Sequence, residues 1–435
     1  MFGTSGIRGP VGETVTADLA LSVGRALGVE TGRVVVGRDL RESGELLADA
    51  LTAGLRESGT DVLDLGLAAT PTVARAVAWE DADAGVSITA SHNPPADNGI
   101  KLWQESGQAF DAERRERIGE RVREDAADLQ DWDALGDRSD ADARDRHVEA
   151  LVEAVEVTDP PSVIVDVGNG AGGVTVDALG ELGCHVETLN AQPDGSFPGR
   201  PSEPTAENCA SLAALVAETD VDLGIAHDGD ADRMRAVAAD GTYLSGDVTL
   251  ALFARAAADP GQRVAAPVDT SLAVADHLAE IDVTVERTRV GDVYVAERVA
   301  EEGVAFGGEP SGAWIWPDAT LCPDGPLAAC KLVALAAERP LAERAAEVDT
   351  YPIHRDSVAV EDKAAVMERV RDLVADRYDA VETLDGVRVA LPDGWFLLRA
   401  SGTQPLVRLT AEAREADRAE TIFADARDLL ETARS

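Results

Sequence analysis

Val163-Ile164-Val165-Asp166-Val167-Gly168-Asn169-Gly170-Ala171-Gly172-Gly173 is a β-branched run that stops at a cluster of glycines. β-branched side chains suit a pleated strand, and glycine permits the sharp turn that ends one. A helical pattern over 174–182, then Gly183, then a strand-like run at 185–189 complete a unit. The same order occurs upstream: a short strand at 34–36, Gly37-Arg38-Asp39, a helix over 43–57, and a strand near 62–65. It occurs again downstream, with a strand at 264–268, Asp269-Thr270-Ser271, a helix through Leu278, and a strand near 283–286. Strand, polar turn, helix and strand, repeated roughly every hundred residues, predict three related α/β domains. The glycine cluster lacks the lysine of a phosphate-binding Walker loop and reads as a turn leading into a helix.

From about Tyr351 the pattern changes to strand, helix (363–375), two or three strands and a final helix over 415–433. That predicts a fourth, smaller α+β domain, with divisions at 1–145, 146–245, 246–347 and 348–435. The charged stretch 111–146 reads as a surface helix plus linker.

Among the 435 residues, 81 are acidic and 39 basic, a net charge of −42. Such a surface repels nucleic acid and anionic lipid. Only Lys101, Lys331 and Lys363 are lysines. An acid-rich, lysine-poor chain resembles halophilic proteins from cells with molar internal salt, where the Debye length falls to about 3 Å and self-repulsion is screened. No apolar run approaches the ~20 residues of a membrane span. Cys184, Cys209, Cys322 and Cys330 form no C-x-x-C pair, and the N-terminus lacks the regions of a signal peptide. A cytoplasmic protein is expected.

Four loops carry chemistry. Thr89-Ala90-Ser91-His92-Asn93-Pro94 follows an apolar run, and Pro94-Pro95 and Asp97-Asn98-Gly99 force turns after it. Ser91 then sits on a tight loop at a strand end, where α/β sheets build sites. Either the hydroxyl is a nucleophile or phosphate carrier, or the loop is an Asx-Pro turn satisfying its own backbone. Asp228-Gly229-Asp230-Ala231-Asp232-Arg233 places three carboxylates at alternate positions. Each pair at ~4 Å repels by roughly 1 kcal/mol in water and about 4 at an effective dielectric of 20. A hard divalent cation removes that repulsion; a solvated acidic loop is the plainer alternative. An EF-hand fails because Arg233 and Ala239 stand where it needs Gly and Glu. Gly307-Gly308-Glu309-Pro310-Ser311-Gly312 offers Glu309 and Ser311 to sugar hydroxyls, or is an ordinary tight turn. Arg399-Ala400-Ser401-Gly402-Thr403-Gln404-Pro405, with Arg408 beyond it, is either a phosphate cradle or a polar turn.

Taken in order, these loops resemble the α-D-phosphohexomutase family. Phe2-Gly3-Thr4-Ser5-Gly6-Ile7-Arg8-Gly9 is similar to that family's opening motif. The stretches from Thr89, Asp228, Gly308 and Arg399 resemble its phosphoserine, metal, sugar and phosphate loops. Arg287-Thr288-Arg289-Val290-Gly291-Asp292-Val293-Tyr294-Val295 is most like the phosphoglucosamine mutase branch. The resemblance implies three similar mixed-sheet α/β domains plus a smaller C-terminal α+β domain around a central cleft. Many relatives carry His after the sugar-loop glycine, where this chain has Ala313.

The implied chemistry interconverts a hexose 6-phosphate and a hexose 1-phosphate, most simply those of glucosamine, with mannose or glucose as alternatives. Ser91 carries the phosphoryl group, Asp228, Asp230, Asp232 and Ser91 hold one Mg²⁺, and a sugar bisphosphate is both intermediate and activator. Arg8 and Lys101 lie beside the phosphoserine, Lys101 as candidate acid or base because a lysine can lose its proton and an arginine cannot. His92 orients the loop. Arg233, Gly291, Asp292, Glu309 and Ser311 read the sugar; Arg399, Ser401, Gly402, Thr403 and Arg408 take its phosphate. The partners expected are small sugar phosphates, for a monomer or homodimer. A phosphatase using Asp228 covalently and a non-catalytic sugar-phosphate binder are the rival readings.

Overall fold

A computed structural model describes residues 2–3, 6–402 and 405–434. Nineteen strands among these residues form four sheets. The first contains β1 (Ile7–Pro10), β2 (Arg33–Arg38), β3 (Asp61–Leu67), β4 (Ala84–Ile88), β5 (Asp97–Trp103) and β6 (Arg138–Asp140), in the order β1-β5-β4-β2-β3-β6. The second contains β7 (Ser162–Asp166), β8 (His185–Leu189), β9 (Leu223–His227) and β10 (Met234–Ala238), in the order β10-β9-β7-β8. The third contains β11 (Arg263–Pro267), β12 (Thr284–Thr288), β13 (Val304–Gly308) and β14 (Trp314–Ile315), in the order β12-β11-β13-β14.

One plan underlies all three. A first strand (β2, β7 or β11) is flanked by two parallel neighbours, and the third strand pairs antiparallel with a fourth. The helices Gly44–Glu57, Gly173–Glu181 and Leu272–Ala279 make the first crossover of each copy. Because helices cover both faces, β4 and β9 are buried along their whole length, which is why they read as unbroken apolar runs. The turn from third to fourth strand carries Ser91 in the first copy, Asp228 to Arg233 in the second and Glu309 to Gly312 in the third. Three of the four loops singled out by sequence are therefore equivalent positions of one repeated unit.

Two elements escape the hydrophobic pattern. β1, drawn from the N-terminal motif, pairs antiparallel with β5 and sets Arg8 opposite Gly99. β6 arises inside the charged stretch expected to be helix plus linker. The helix is there, Ala112–Glu124, but residues 138–140 pair with β3 as a parallel edge strand. All three residues are exposed and polar; backbone pairing and an ion pair from Arg138 to Asp64 on β3 hold them to the sheet.

The domains meet through close backbone contacts. A Cβ on Gly229 would lie 2.9 Å from the Ser91 carbonyl oxygen, and one on Gly325 would lie 2.6 Å from that of Ala231. A continuous apolar cluster, including Val165, Ile225, Phe253, Phe306 and Leu332, spans the second and third sheets. Asp324 ties three segments together, accepting from Arg75 Nε at 2.8 Å and lying 3.3 Å from His147 Nε2.

The fourth sheet is antiparallel: β15 (Ile353–Ala359), β19 (Leu406–Ala413), β18 (Gly394–Ala400), β17 (Val387–Leu391) and β16 (Val381–Glu382), side by side in that order. Helices Lys363–Ala375 and Ala416–Arg434 cover one face and form a core of their own. The other face lays Trp395 and Leu397 on Val268. Beside them Glu412, fully buried, accepts from Trp395 Nε1 (2.5 Å), Ser271 Oγ (2.5 Å) and the Leu272 amide (2.8 Å). It thereby caps the helix Leu272–Ala279 from across the seam.

Glu412→Ala strands these donors at about 1–3 kcal/mol apiece. Urea unfolding should show a loss of roughly 3 kcal/mol or more; a loss under about 1 kcal/mol would mean the seam does not depend on this contact.

Candidate active site

Ser91 is fully buried and has a left-handed backbone, φ 52°. That conformation costs a non-glycine residue about 1 kcal/mol or more and needs support from its surroundings. Arg41 supplies it. Its guanidinium is buried, donates to Asp39, and donates to the carbonyls of Ser91 (2.9 Å), Asn93 (2.7 Å), Pro94 (2.5 Å) and Asp97 (2.8 Å). Thr89 Oγ1 accepts from the Ser91 amide at 2.8 Å and donates to Asp39 at 2.6 Å. Ser202 Oγ donates to the Ser91 carbonyl at 2.8 Å. The sequence marked Gly37-Arg38-Asp39 as a turn and gave Arg41 no role. An arginine two residues after a strand-end aspartate was the available signal.

The Ser91 hydroxyl donates to Asp228 Oδ2 at 2.6 Å. Asp230 Oδ2 accepts from Lys101 Nζ and from Thr70 Oγ1, both at 2.7 Å, and Lys101 Nζ also donates to Asp232 Oδ2. One oxygen from each aspartate lies within 4.8 Å of the others, and all three residues are buried. Burial, then Asp232 and Asp230, push the Asp228 carboxyl well above the usual carboxylate range. Burial acts the same way on Asp230, but Lys101 outweighs it and holds that carboxyl low. Burial works against the charge on Lys101, but Asp230 and Asp232 outweigh it and hold the ammonium above the usual lysine range.

Lys101 pairs with two of the three carboxyl groups, and the buried Asp230 Oδ1 has no hydrogen-bond partner. Hard, convergent oxygen donors, one of them unpartnered, fit a divalent cation such as Mg²⁺.

The remaining candidates of the first three domains gather around this cluster. His92 Nδ1 is 3.3 Å from Ser91 Oγ. Burial and the cations Arg233, Arg8 and Lys101 push the imidazole down to about 2, so it is neutral at pH 7. Arg8 Nε is buried with no partner. Arg233 pairs by backbone with Ala313, and its Nε lies 3.9 Å from Asp232 Oδ1. Glu309 accepts from the Gly291 amide (2.7 Å) and from Ser311 Oγ (3.1 Å). Burial, with Asp292 nearby, raises its carboxyl to about 7.

The fourth loop stands apart. Arg399 is 3.6 Å from Asp385 Oδ2, which accepts from the Val290 amide at 3.0 Å. That links it to the stretch bearing Gly291 and Asp292. Lys363 Nζ donates to the Ser401 carbonyl at 2.5 Å, and nothing crowds Gly402. Arg408 lies directly across the sheet from Arg399. Thr403, and Thr4 and Ser5 of the opening motif, fall outside the described residues. Thr70, which contacts Asp230 by side chain and backbone, had no local signal in its sequence.

Four family models match in chain order. Three are described as phosphoglucomutase/phosphomannomutase α/β/α domains I, II and III, over residues 1–128, 145–241 and 245–351; the fourth is the C-terminal domain, over 357–429. A probable phosphoglucosamine mutase of Methanopyrus kandleri is 47% identical over 430 residues, covering 96% of this chain and 95% of that one. One of Methanococcoides burtonii is 45% identical, covering 100% and 99%. A phosphoglucomutase/phosphomannomutase family crystal structure from Burkholderia thailandensis superposes with a TM-score of 0.88 at 30% identity, covering 100% and 98%. Aspergillus fumigatus N-acetylphosphoglucosamine mutase in complex with GlcNAc-6P and magnesium shares the fold, with a TM-score of 0.64 at 16% identity, covering 100% and 96%. From its first domain to its last, then, the chain belongs to the phosphoglucomutase/phosphomannomutase family of α-D-phosphohexomutases, on the phosphoglucosamine mutase-like side.

Proposed function

We propose that this isomerase interconverts glucosamine 6-phosphate and glucosamine 1-phosphate, with Ser91 as the phosphoryl carrier. The sugar is taken from the relatives named phosphoglucosamine mutase that match end to end. The observation that carries the residue assignment is the 2.6 Å contact between Ser91 Oγ and Asp228, beside a convergent trio of buried carboxyl groups.

Asp228, Asp230 and Asp232, with an oxygen on Ser91, would hold one Mg²⁺, which when bound supplies charge neutralisation and Lewis acidity. The protein's own groups do the rest. Arg41 and Thr89 fix the loop, so Ser91 Oγ is held at a set direction. His92, kept neutral, adds a hydrogen-bond partner without another charge. Arg8 and Lys101 place positive charge beside the phosphoryl group. In the first half-reaction the Oγ–P bond of phospho-Ser91 breaks as a P–O bond to the free sugar hydroxyl forms, and the proton that hydroxyl loses ends on the freed Ser91 Oγ. The sugar bisphosphate then presents its other phosphate to Ser91, the same bonds exchange in reverse, and the freed sugar oxygen regains a proton. Glu309, Ser311, Gly291, Asp292 and Arg233 meet the sugar hydroxyls, while Arg399, Ser401, Gly402, Thr403 and Arg408 hold the remote phosphate. Binding energy from that remote phosphate positions the reacting end. The reading places the enzyme in the cytoplasm, as a monomer or homodimer acting on free sugar phosphates.

Ser91→Ala should lower kcat at least about a thousandfold and abolish incorporation of labelled phosphate into the protein. Substantial turnover by that variant would remove Ser91 from the carrier role. Exhaustive chelation should stop the reaction and Mg²⁺ should restore it, whereas Asp230→Asn should need far more Mg²⁺ for the same rate. A chelated enzyme at full rate would refute the cation site.

Glu309 gives a pH test. Its carboxyl is raised from 4.5 to about 7, so between those values the folded state keeps a proton that the unfolded state has lost. Its contribution to stability is therefore present at low pH and declines as pH rises through that window. Glu309→Gln should flatten the decline in unfolding curves taken across it; an unchanged slope would contradict a buried, protonated carboxyl.

A further inference from the structure

The face of the C-terminal sheet turned toward Val268 carries a cluster of like charges, of which the sequence marked Arg399 and Arg408 but not Arg355. Arg399 on β18 and Arg408 on β19 are direct cross-strand partners. Arg408 is in turn paired with Ser357 on β15, and Arg355, two residues away, is paired with Thr410. Directly paired residues share a face, and so do residues two apart on one strand. Three guanidinium groups thus stand on the same face of three adjacent strands. Like charges set opposite each other are destabilising, and this chain has 81 acidic residues with which to relieve them. It does so sparingly. Among the described residues neither Arg355 nor Arg408 has a carboxylate within ion-pair distance, and Arg399 reaches only Asp385, at 3.6 Å. The carboxyls of Asp247 and Asp269 lie near enough to feel Arg355, yet neither closes to an ion pair.

The arginines line a cavity of about 490 Å³, together with Asp269, Ser357 and Thr410. Arg399 belongs also to the loop already described, so cavity and loop are continuous. A line of guanidinium forks, with hydroxyl donors beside them and open space in front, is the arrangement that phosphate oxygens satisfy.

We propose that Arg355 is a phosphate-binding residue, which with Arg408 extends the anion site of the 399–405 loop onto the face of the sheet. The inference rests on the reading of this chain as a sugar-phosphate mutase. The competing role for Arg355 is a latch, drawing the C-terminal sheet toward Asp247 and Asp269 without touching ligand.

The test compares wild type, Arg355→Gln, Arg355→Lys and, as an exposed control on another face, Arg377→Gln. All are measured at one fixed salt concentration, because screening changes such contacts. Mutase kinetics and calorimetric binding of glucosamine 6-phosphate and of inorganic phosphate are recorded, with thermal unfolding alongside. Loss of one charge-assisted contact should raise KM, and weaken both ligands, by about tenfold in Arg355→Gln, with kcat within about twofold. Arg355→Lys should recover part of the affinity, and the control should match wild type. Unchanged KM and affinities in Arg355→Gln overturn the proposal, and a lowered Tm with those values unchanged assigns the latch instead. If wild type binds both ligands, and Arg355→Gln binds them more weakly, but no mutase turnover occurs, the mutase reading fails while the anion site stands.

Discussion

Everything in this molecule answers to one electrostatic demand: three aspartates held within 4.8 Å of each other and shielded from water. Water would weaken their repulsion, but all three side chains are buried. Relief comes from Lys101, one of only three lysines in the chain, lodged between Asp230 and Asp232. Lys101 reaches that position because β5 runs antiparallel to β4, with Lys101 opposite Ser87. The strand that brings in the lysine is the same one that closes the loop of Ser91. Charge balance and placement of the hydroxyl are thus set by a single turn, and Arg41 locks that turn from behind.

Much of this organisation was written locally. The β-branched runs near Val34, Val163 and Val264 announced three strands, and the glycines and aspartates after them announced the turns. Lys101 stood out because the composition avoids lysine. What stayed hidden depends on partners distant along the chain. Arg41 acts on a carbonyl 50 residues away, and Thr70 on a carboxylate 160 residues away. Thr70 has no sequence neighbour that reveals its use, and Arg41 has only Asp39. β6 was hidden for a different reason: its residues are all polar and exposed, so no apolar period marks it. The face of Arg355 emerged only once the register of β15 against β19 was known.

The repeated unit explains how distant loops came to share a purpose. Each copy ends its third strand at the same edge, and each turn there is free to vary because the scaffold beneath it is already packed. One copy holds a hydroxyl, the next acidic groups, the third a buried carboxyl that accepts from the Gly291 amide and the Ser311 hydroxyl. The fourth domain has a different topology and contributes differently, through a sheet face and one loop.

The glycine contacts at the seams bear on how such a protein adapts. Gly229 against Ser91 and Gly325 against Ala231 bring the main chains of neighbouring domains into close approach. Some exterior charges join in: Arg414 meets Asp276, and Arg287 meets Glu382, across the joint between the third and fourth domains. Substitution of the anionic coat is therefore constrained at that joint, where a lost carboxylate removes a contact between domains.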